Sequence, residues 1–238
     1  MMKLIDILKS IYNASLSRLC RLNSRFYIWF LKRKGIKIGA NFLIQNHSVS
    51  TVVIDISRPS LVAIGENVTI NRNFSLFTHD FVSGVFLNKY NDFVPSSGRV
   101  TIGNNVRFGI NCTVLKGVTI GDNCFIGAGS IVTKDIPSNS IAVGSPCRVV
   151  MSLDDYYKKR KIKCVEEALD YARSIQERFG RKPHIEEFYE EFPLFLKGTD
   201  EVASLPIEKQ LKNAYPYFRK HNKPIFDGFD DFLNSAGL

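Results

Sequence analysis

The 238-residue chain has few of the residues from which disulfide frameworks and zinc centres are built. It has five cysteines, an odd number without a C-x-x-C pair, and only four histidines. This composition argues against a disulfide-stapled secreted domain and against a zinc ribbon. We therefore expect a cytoplasmic protein that works in a reducing compartment and binds no metal.

Long apolar runs are also missing, and the charge is placed unevenly. No run approaches the ~20 residues of a membrane-spanning helix, and the N-terminus has no apolar stretch followed by a small-residue cleavage site. The net charge is +9, and residues 1–37 hold nine Lys or Arg against one acidic residue. The rest of the chain is therefore nearly neutral, and we expect no nucleic-acid partner.

An aliphatic or aromatic residue recurs at every sixth position in the middle of the chain. These anchors are Ile102, Phe108, Val114, Ile120, Ile126 and Val132. The residues two places earlier, Cys112 and Cys124 among them, are also small or apolar, so each unit sends two side chains inward. Gly follows four anchors and Asn or Asp comes next, and Gly and Asn tolerate the backbone angles of a corner. The period predicts an all-β solenoid, a parallel β-helix with 18 residues per triangular coil.

The same register appears earlier in the chain but is interrupted twice. The earlier anchors are Ile38, Ile44, Ile64, Ile70 and Leu76. Since neither Ile44–Ile64 nor Leu76–Ile102 spans a multiple of six residues, we predict a loop at each break, often a binding feature in solenoids. The second loop, 77–99, contains the triplet Thr78-His79-Asp80 and, after it, the aromatic residues Phe81, Phe86, Tyr90 and Phe93. We expect the chemistry there.

Two helical segments flank the predicted solenoid. Residues 1–35 form a basic amphipathic arm that either packs on the first coil or lies on an anionic membrane surface. We favour packing, and the two alternatives are compatible. After Val150 the period stops, and 151–238 is predicted to be a helical domain. Its first helix, about Leu153 to Phe179, has one apolar side. That side holds Tyr157, Val165, Leu169, Ala172 and Ile175.

The end of the solenoid resembles a known family. The stretch IGAGSIVTKDIPSNSIAVGSPCRVV, which ends at Val150, is similar to the segment of bacterial hexapeptide-repeat acetyltransferases where the last coil terminates and acetyl-CoA is held. The T-H-D triplet resembles the His-Asp of the O-acetyltransferases of surface polysaccharides, the colanic-acid type. The similarity covers about 35–150. It implies a left-handed β-helix over 36–150 and a homotrimer that binds acetyl-CoA between subunits.

Acetyl transfer to a hydroxyl requires a base, and histidine suits that role near neutral pH. His79 is the candidate base, whereas we interpret His47 as a surface residue. Asp80 is a candidate to orient the imidazole, although adjacent side chains of an extended segment face opposite ways. The resemblance implies further site residues. For the cofactor they are Gly109, Gly127, Ala128, Lys134 and Arg148. The acceptor candidates come from the residues themselves: Phe81 and Tyr90 have rings that can stack on a sugar, and Arg107 is a cation.

The acceptor stays open at this point. Arg107-Phe108 stands where the family often has Trp-Ile, and the cation favours an acidic or phosphate-linked sugar. We expect a sugar of a surface polysaccharide or of its lipid-linked precursor, met at the inner face of the membrane. The alternatives are antibiotic O-acetylation, N-acetylation of a nucleotide sugar, and a β-helical scaffold without activity. A zinc carbonic anhydrase of related fold needs three histidines per site, and this region has two.

Overall fold

The computed structural model describes residues 23–238, apart from the side chains of residues 46–48. Its first part is a β-helix of three parallel sheets. The first sheet runs β1 (Lys37–Ile38), β4 (Val62–Ile64), β7 (Val100–Ile102) and β10 (Thr119–Ile120). The second runs β2 (Leu43–Ile44), β5 (Thr69–Ile70), β8 (Arg107–Phe108), β11 (Phe125–Ile126), β13 (Ser140–Val143) and β14 (Arg148–Ser152). The third runs β3 (Val53–Ile54), β6 (Ser75–Leu76), β9 (Thr113–Val114) and β12 (Ile131–Val132).

The coils have the predicted length. Thr101 pairs with Thr119 and Thr113 with Ile131, which is one step of 18 residues in each case. All six anchors are buried, and so are Cys112 and Cys124. Burial raises the pKa of both thiols, as expected of apolar fillers. The left-handed β-helix is thus confirmed as the fold of the central region.

The left-handed backbone conformation at the corners is adopted by asparagine. The glycines that follow four of the anchors do not adopt it. Asn105, Asn111 and Asn123 have φ of 53°, 59° and 56°. Their amides form ladders along the solenoid, for example Asn105 Nδ2 to Asn123 Oδ1 at 2.9 Å. The anchor glycines serve close packing of coils, because a Cβ on Gly109 would lie 2.5 Å from the backbone nitrogen of Ala128.

Both breaks in the repeat carry insertions, but the first contains a strand that the sequence pattern missed. β3 lies between two short insertions and pairs in parallel with β6, Ile54 opposite Leu76. The second break is the predicted loop, which contains helix α2 (Ser83–Tyr90). β3 therefore places its following residues beside the start of this loop.

The two ends of the solenoid are closed differently. Helix α1 (Ser24–Arg33) packs Tyr27, Phe30 and Leu31 into the same core as the first coils. At the other end β14 turns back and pairs antiparallel with β13. Packing of the arm on the solenoid is confirmed for residues 24–33, whereas the part of the predicted arm before residue 23 lies outside the described residues.

The chain divides into two compact units, of which the second covers 157–238. Its helices are α3 (Leu153–Phe179), α4 (Ile207–Leu211), α5 (Tyr215–His221) and α6 (Phe229–Ser235), with 3-10 turns at Ile185–Phe188, Phe192–Leu194 and Lys212–Ala214. Ala168, Ala172 and Ile175 pack with the aromatic core, but Tyr157 is 63% exposed. Tyr157 thus lies on the predicted apolar side but outside the packed core. No helix within residues 23–238 is long and apolar enough to cross a membrane.

Candidate active site

His79 lies at the start of the 77–99 loop and is held by a carboxylate from the neighbouring coil. Its Nδ1 is 2.7 Å from Oδ2 of Asp55, the residue that follows β3. The side chain of Asp55 is 6% exposed and that of His79 20%. The pair is therefore buried on the Asp side and open to solvent on the imidazole side.

Asp55 is kept ionised by a dense set of donors. Ser57 donates its backbone N–H and its hydroxyl to Oδ1, at 2.9 and 2.7 Å. Thr78 donates its backbone N–H to Oδ2 at 3.1 Å, and its hydroxyl to the same oxygen. Burial raises the pKa of Asp55, but the hydrogen bonds from Thr78 and Ser57 outweigh it and hold the pKa well below its usual range.

The ionised carboxylate determines which imidazole nitrogen is basic. Asp55 accepts only, so Nδ1 of a neutral His79 carries the proton and donates it. The lone pair of the ring is then on Nε2, which is the arrangement that a general base requires. The geometry thus supplies an oriented base without any contribution from Asp80.

Asp80 has a different role in the structure. It accepts the backbone N–H of Val82 at 3.1 Å and the hydroxyl of Ser96 at 3.2 Å, and Lys116 Nζ lies 2.7 Å from its Oδ2. The hydrogen bond from Lys116 lowers the pKa of Asp80. The carboxylate that contacts the imidazole is Asp55, and Asp80 joins the two ends of the loop to the following coil.

The predicted acceptor aromatics are exposed around this loop. Phe81 is 84% exposed, and its ring meets His79 edge-on with centroids 5.2 Å apart. Tyr90 and Phe93 are 60% and 65% exposed. Exposed aromatic rings offer flat apolar faces on which a sugar ring can stack, and of these three rings Phe81 is the one that contacts His79.

The predicted cofactor residues lie on the later coils. Gly109, Gly127 and Ala128 follow β8 and β11 of the six-stranded sheet, and Arg148 begins β14 of that sheet. Gly109 and Gly127 are each pressed against the next coil, so coil packing alone accounts for the glycines. Arg148 is exposed, and its guanidinium donates to the backbone oxygen of Cys147 at 2.7 Å.

Lys134 belongs to the same corner of the solenoid as the His79 loop. Leu76, Val114 and Val132 are aligned across neighbouring strands, so Thr78, Lys116 and Lys134 follow in one column. Two strand spacings separate the Lys134 backbone from the neck of the loop, roughly 10 Å. The lysine side chain is exposed.

Arg107 lies apart from His79 within one chain. It is exposed in β8, in the six-stranded sheet, whereas His79 follows β6 of a four-stranded sheet. The structure thus groups His79, Phe81 and Lys134 at one corner, and places Arg107 with the glycines on another sheet.

Asp55 is the site residue that the sequence pattern missed. Ile54 stands 22 residues before Leu76, which is one coil plus an insertion of four residues. The six-residue period does not reveal this register, because β3 lies between two insertions within the break after Ile44. A carboxylate directly after an anchor, one coil before the histidine, is the signal that identifies the partner.

Comparisons with known proteins agree with this architecture. Residues 99–134 match the family described as bacterial transferase hexapeptide (six repeats). The galactoside O-acetyltransferase of Escherichia coli (strain K12) is 41% identical over 140 residues, which cover 57% of this chain and 65% of that protein. Protein CapG of Staphylococcus aureus is 37% identical over 145 residues, covering 61% of this chain and 79% of CapG.

A solved structure of a galactoside acetyltransferase in complex with coenzyme A matches with 29% identity and a TM-score of 0.43. The match covers 62% of this chain and 82% of that one. The chain spans less than two thirds of the length of the E. coli relative that it matches. From the repeat, the three parallel sheets and the similarity to CapG, we conclude that the chain belongs to the bacterial hexapeptide-repeat acetyltransferase family.

Proposed function

We propose that this protein transfers an acetyl group from acetyl-CoA to a sugar hydroxyl, with His79 as the general base. The observation that carries the proposal is the buried, ionised Asp55 on Nδ1 of a histidine that opens to solvent. Nε2 takes the hydroxyl proton as the sugar oxygen attacks the thioester carbonyl, and the imidazolium returns the proton to the departing sulfur. Asp55 stabilises the imidazolium in between.

Acetyl-CoA is proposed to lie along the later coils. The extended backbone near Gly109, Gly127 and Ala128 offers amide partners to its pantetheine arm, and Lys134 and Arg148 offer charge to its phosphates. We further propose a homotrimer, because Arg107 and the residues Gly109, Gly127 and Ala128 lie on a different sheet from His79, and a neighbouring subunit would bring them together. Several apolar side chains exposed on the strands support such contacts. They are Leu43, Val53, Phe125, Ile131 and Val143.

The acceptor is proposed to be a sugar of a surface polysaccharide or of its lipid-linked precursor. The support is the set of aromatic residues exposed on the loop that holds the base, Phe81, Tyr90 and Phe93, of which Phe81 contacts the His79 ring. Arg107 would favour an acidic or phosphate-linked acceptor. These features suit a large glycan better than a small neutral sugar.

We propose that the protein meets such an acceptor at an anionic membrane. The outward face of α1 presents Phe26 and Trp29, 62% and 48% exposed, beside Arg25 and Arg33. The Arg33 guanidinium lies over the Trp29 ring at 5.6 Å. Aromatic rings flanked by cations are typical of interfacial helices, whose binding weakens with salt.

Replacing His79 tests the reaction. Because removing a positioned base costs ~10²–10⁴-fold in rate, His79→Ala should nearly abolish thiol release from acetyl-CoA while the protein still folds and binds coenzyme A. The assay should screen monosaccharides, oligosaccharides, lipid-linked oligosaccharides and antibiotics as acceptors. A variant that keeps more than about a tenth of the wild-type kcat would refute the assignment of the base.

Charge variants of α1 test the membrane proposal without removing the helix. Arg25→Glu combined with Arg33→Glu should abolish co-sedimentation with phosphatidylglycerol vesicles at low salt, and should leave acetyl transfer to a soluble acceptor unchanged. Equal sedimentation of the variant and the wild type would contradict a docking role for this face.

A further inference from the structure

The helical unit contains an open groove that the proposed reaction does not use. It lies between α3 and α5 and has a volume of about 460 Å³. The polar and aromatic residues that line it are Tyr157, Lys161, Tyr217, Phe218, His221, Asn222 and Lys223. A volume of this size is in the range of small-ligand pockets.

The groove carries positive charge only. Lys161 and Lys223 line it, and none of the residues that line it is acidic. A neighbouring cleft shares both lysines but is lined by Glu167, Glu190 and Glu191 as well. The neighbouring cleft thus combines cations with carboxylates, whereas the charged residues that line the aromatic groove are both lysines.

Two tyrosine rings stand exposed beside these lysines. Tyr157 and Tyr217 are 63% and 70% exposed. Tyr217 stacks on His221, with ring centroids 4.3 Å apart and planes 27° from parallel. The stacking covers one face of the Tyr217 ring with His221 of the same helix, and the rest of the ring is exposed to solvent. An oriented ring beside a cation is suited to the apolar face and the carboxylate of a uronic acid.

The position of Tyr157 supports a binding role. It belongs to the apolar side of α3 in sequence, yet it does not join the core that Ala168, Ala172 and Ile175 enter. Phe218, by contrast, is buried and packs edge-on against Phe192 with centroids 5.4 Å apart. The floor of the groove is thus fixed by the core, and its two tyrosines face solvent.

We propose that this groove binds an acidic oligosaccharide and so holds a distal part of the polymer whose hydroxyl is acetylated. The choice of a glycan rests on the proposed acetyl transfer to a surface polysaccharide. The lining itself favours a short ligand with one or two carboxylates. A nucleic acid requires a longer cationic track with successive stacking platforms.

Calorimetric titration of the full chain tests the proposal in the absence of acetyl-CoA. The probes are tetragalacturonic acid, the neutral maltotetraose, and a thymidine tetranucleotide of similar charge. We expect the wild type to bind tetragalacturonic acid, more weakly at higher salt, and to prefer it to the other two. Lys161→Glu and Tyr217→Ala should each weaken binding by about tenfold or more.

Lys163→Glu is the matched control, because Lys163 is exposed on the same helix but does not line the groove. It should change the affinity less than about twofold, since exposed charges at a distance are screened. His79→Ala should bind the probe as the wild type does, so a failure of the catalytic proposal leaves this measurement unaffected. No binding by the wild type, equal losses for the two lysine variants, or preference for either control ligand would each overturn the proposal.

Discussion

Asp55→Asn isolates the contribution of the buried carboxylate to catalysis. The substitution keeps the shape of the side chain but removes its charge and replaces one acceptor oxygen with an NH2 group. In the wild type Oδ2 accepts from Thr78 and from His79 Nδ1, and Oδ1 accepts from Ser57. An amide has only one oxygen to serve these two groups of donors.

The size of the effect follows from this geometry. If the amide nitrogen faces His79, Nδ1 must become an acceptor and the proton moves to Nε2, where the base is needed. In either orientation one backbone N–H also loses its acceptor, that of Thr78 when the nitrogen replaces Oδ2 and that of Ser57 when it replaces Oδ1, which costs about 1–3 kcal/mol of stability. In both orientations the imidazolium loses its counter-charge. We expect kcat to fall by about 10²–10⁴-fold, with little change in the KM for acetyl-CoA.

Steady-state thiol release, with folding monitored by circular dichroism, measures this effect. Asp80→Asn is the control, because Asp80 is also hydrogen-bonded near the site but contacts Lys116 and not the imidazole. Its kcat should fall less than about tenfold, since it positions the loop and not the base. The reasoning is refuted if Asp55→Asn keeps more than about a tenth of wild-type kcat, or if Asp80→Asn loses as much as Asp55→Asn.

Asp55 also makes stability depend on pH in a definite direction. Its pKa in the folded chain is lowered, so it stabilises the fold above the unfolded-chain value of ~3.9. That contribution is lost as the pH falls from about 5 toward the lower folded pKa. In urea titrations across this range, Asp55→Asn should lose less stability than the wild type does.

Two further outcomes are expected. Asn123→Ala should destabilise the protein by about 2 kcal/mol in urea unfolding, because it combines a left-handed backbone with the loss of two ladder hydrogen bonds, whereas Asn123→Gly should cost less. Equal losses would show that backbone strain contributes nothing. The double variant Lys134→Ala, Arg148→Ala should raise the KM for acetyl-CoA with little change in kcat, the pattern of lost ground-state binding. An unchanged KM would make both residues ordinary surface charges.

The repeat could be predicted because each coil of a solenoid contacts only its neighbouring coils, so its pattern is visible in a short stretch of sequence. An anchor such as Ile120 is buried by its own coil and the neighbouring ones. The six-residue period therefore predicted the strands that carry the anchors and the loop that holds His79. The partner of His79 was not predictable in this way, since Asp55 reaches it across coils through a strand hidden between two insertions. Sequence adjacency favoured Asp80, whose side chain instead faces Lys116.

In the helical unit, the extent of the first helix could be predicted from the sequence, but the packing of its side chains could not. The bounds of α3, Leu153–Phe179, follow from its apolar spacing and from the Gly and Pro after it. Tyr157 shares the apolar side with Ala172 but stays exposed, because helical periodicity gives a side of the helix and not how far along that side the partner elements extend. Packing of this kind is decided by tertiary contacts that a single sequence does not state.

The closed ends of the solenoid have a consequence for self-association. Nothing in the geometry of stacked parallel coils limits how many coils can be added. An uncovered end has unpaired backbone N–H and C=O groups, which can pair with a coil of another molecule. The core-packed helix α1 covers one end, and the reversed strand β14 gives the other end a direction that a parallel coil cannot continue. We expect these two elements to limit end-to-end association, so removing α1 should promote polymerisation of the chain.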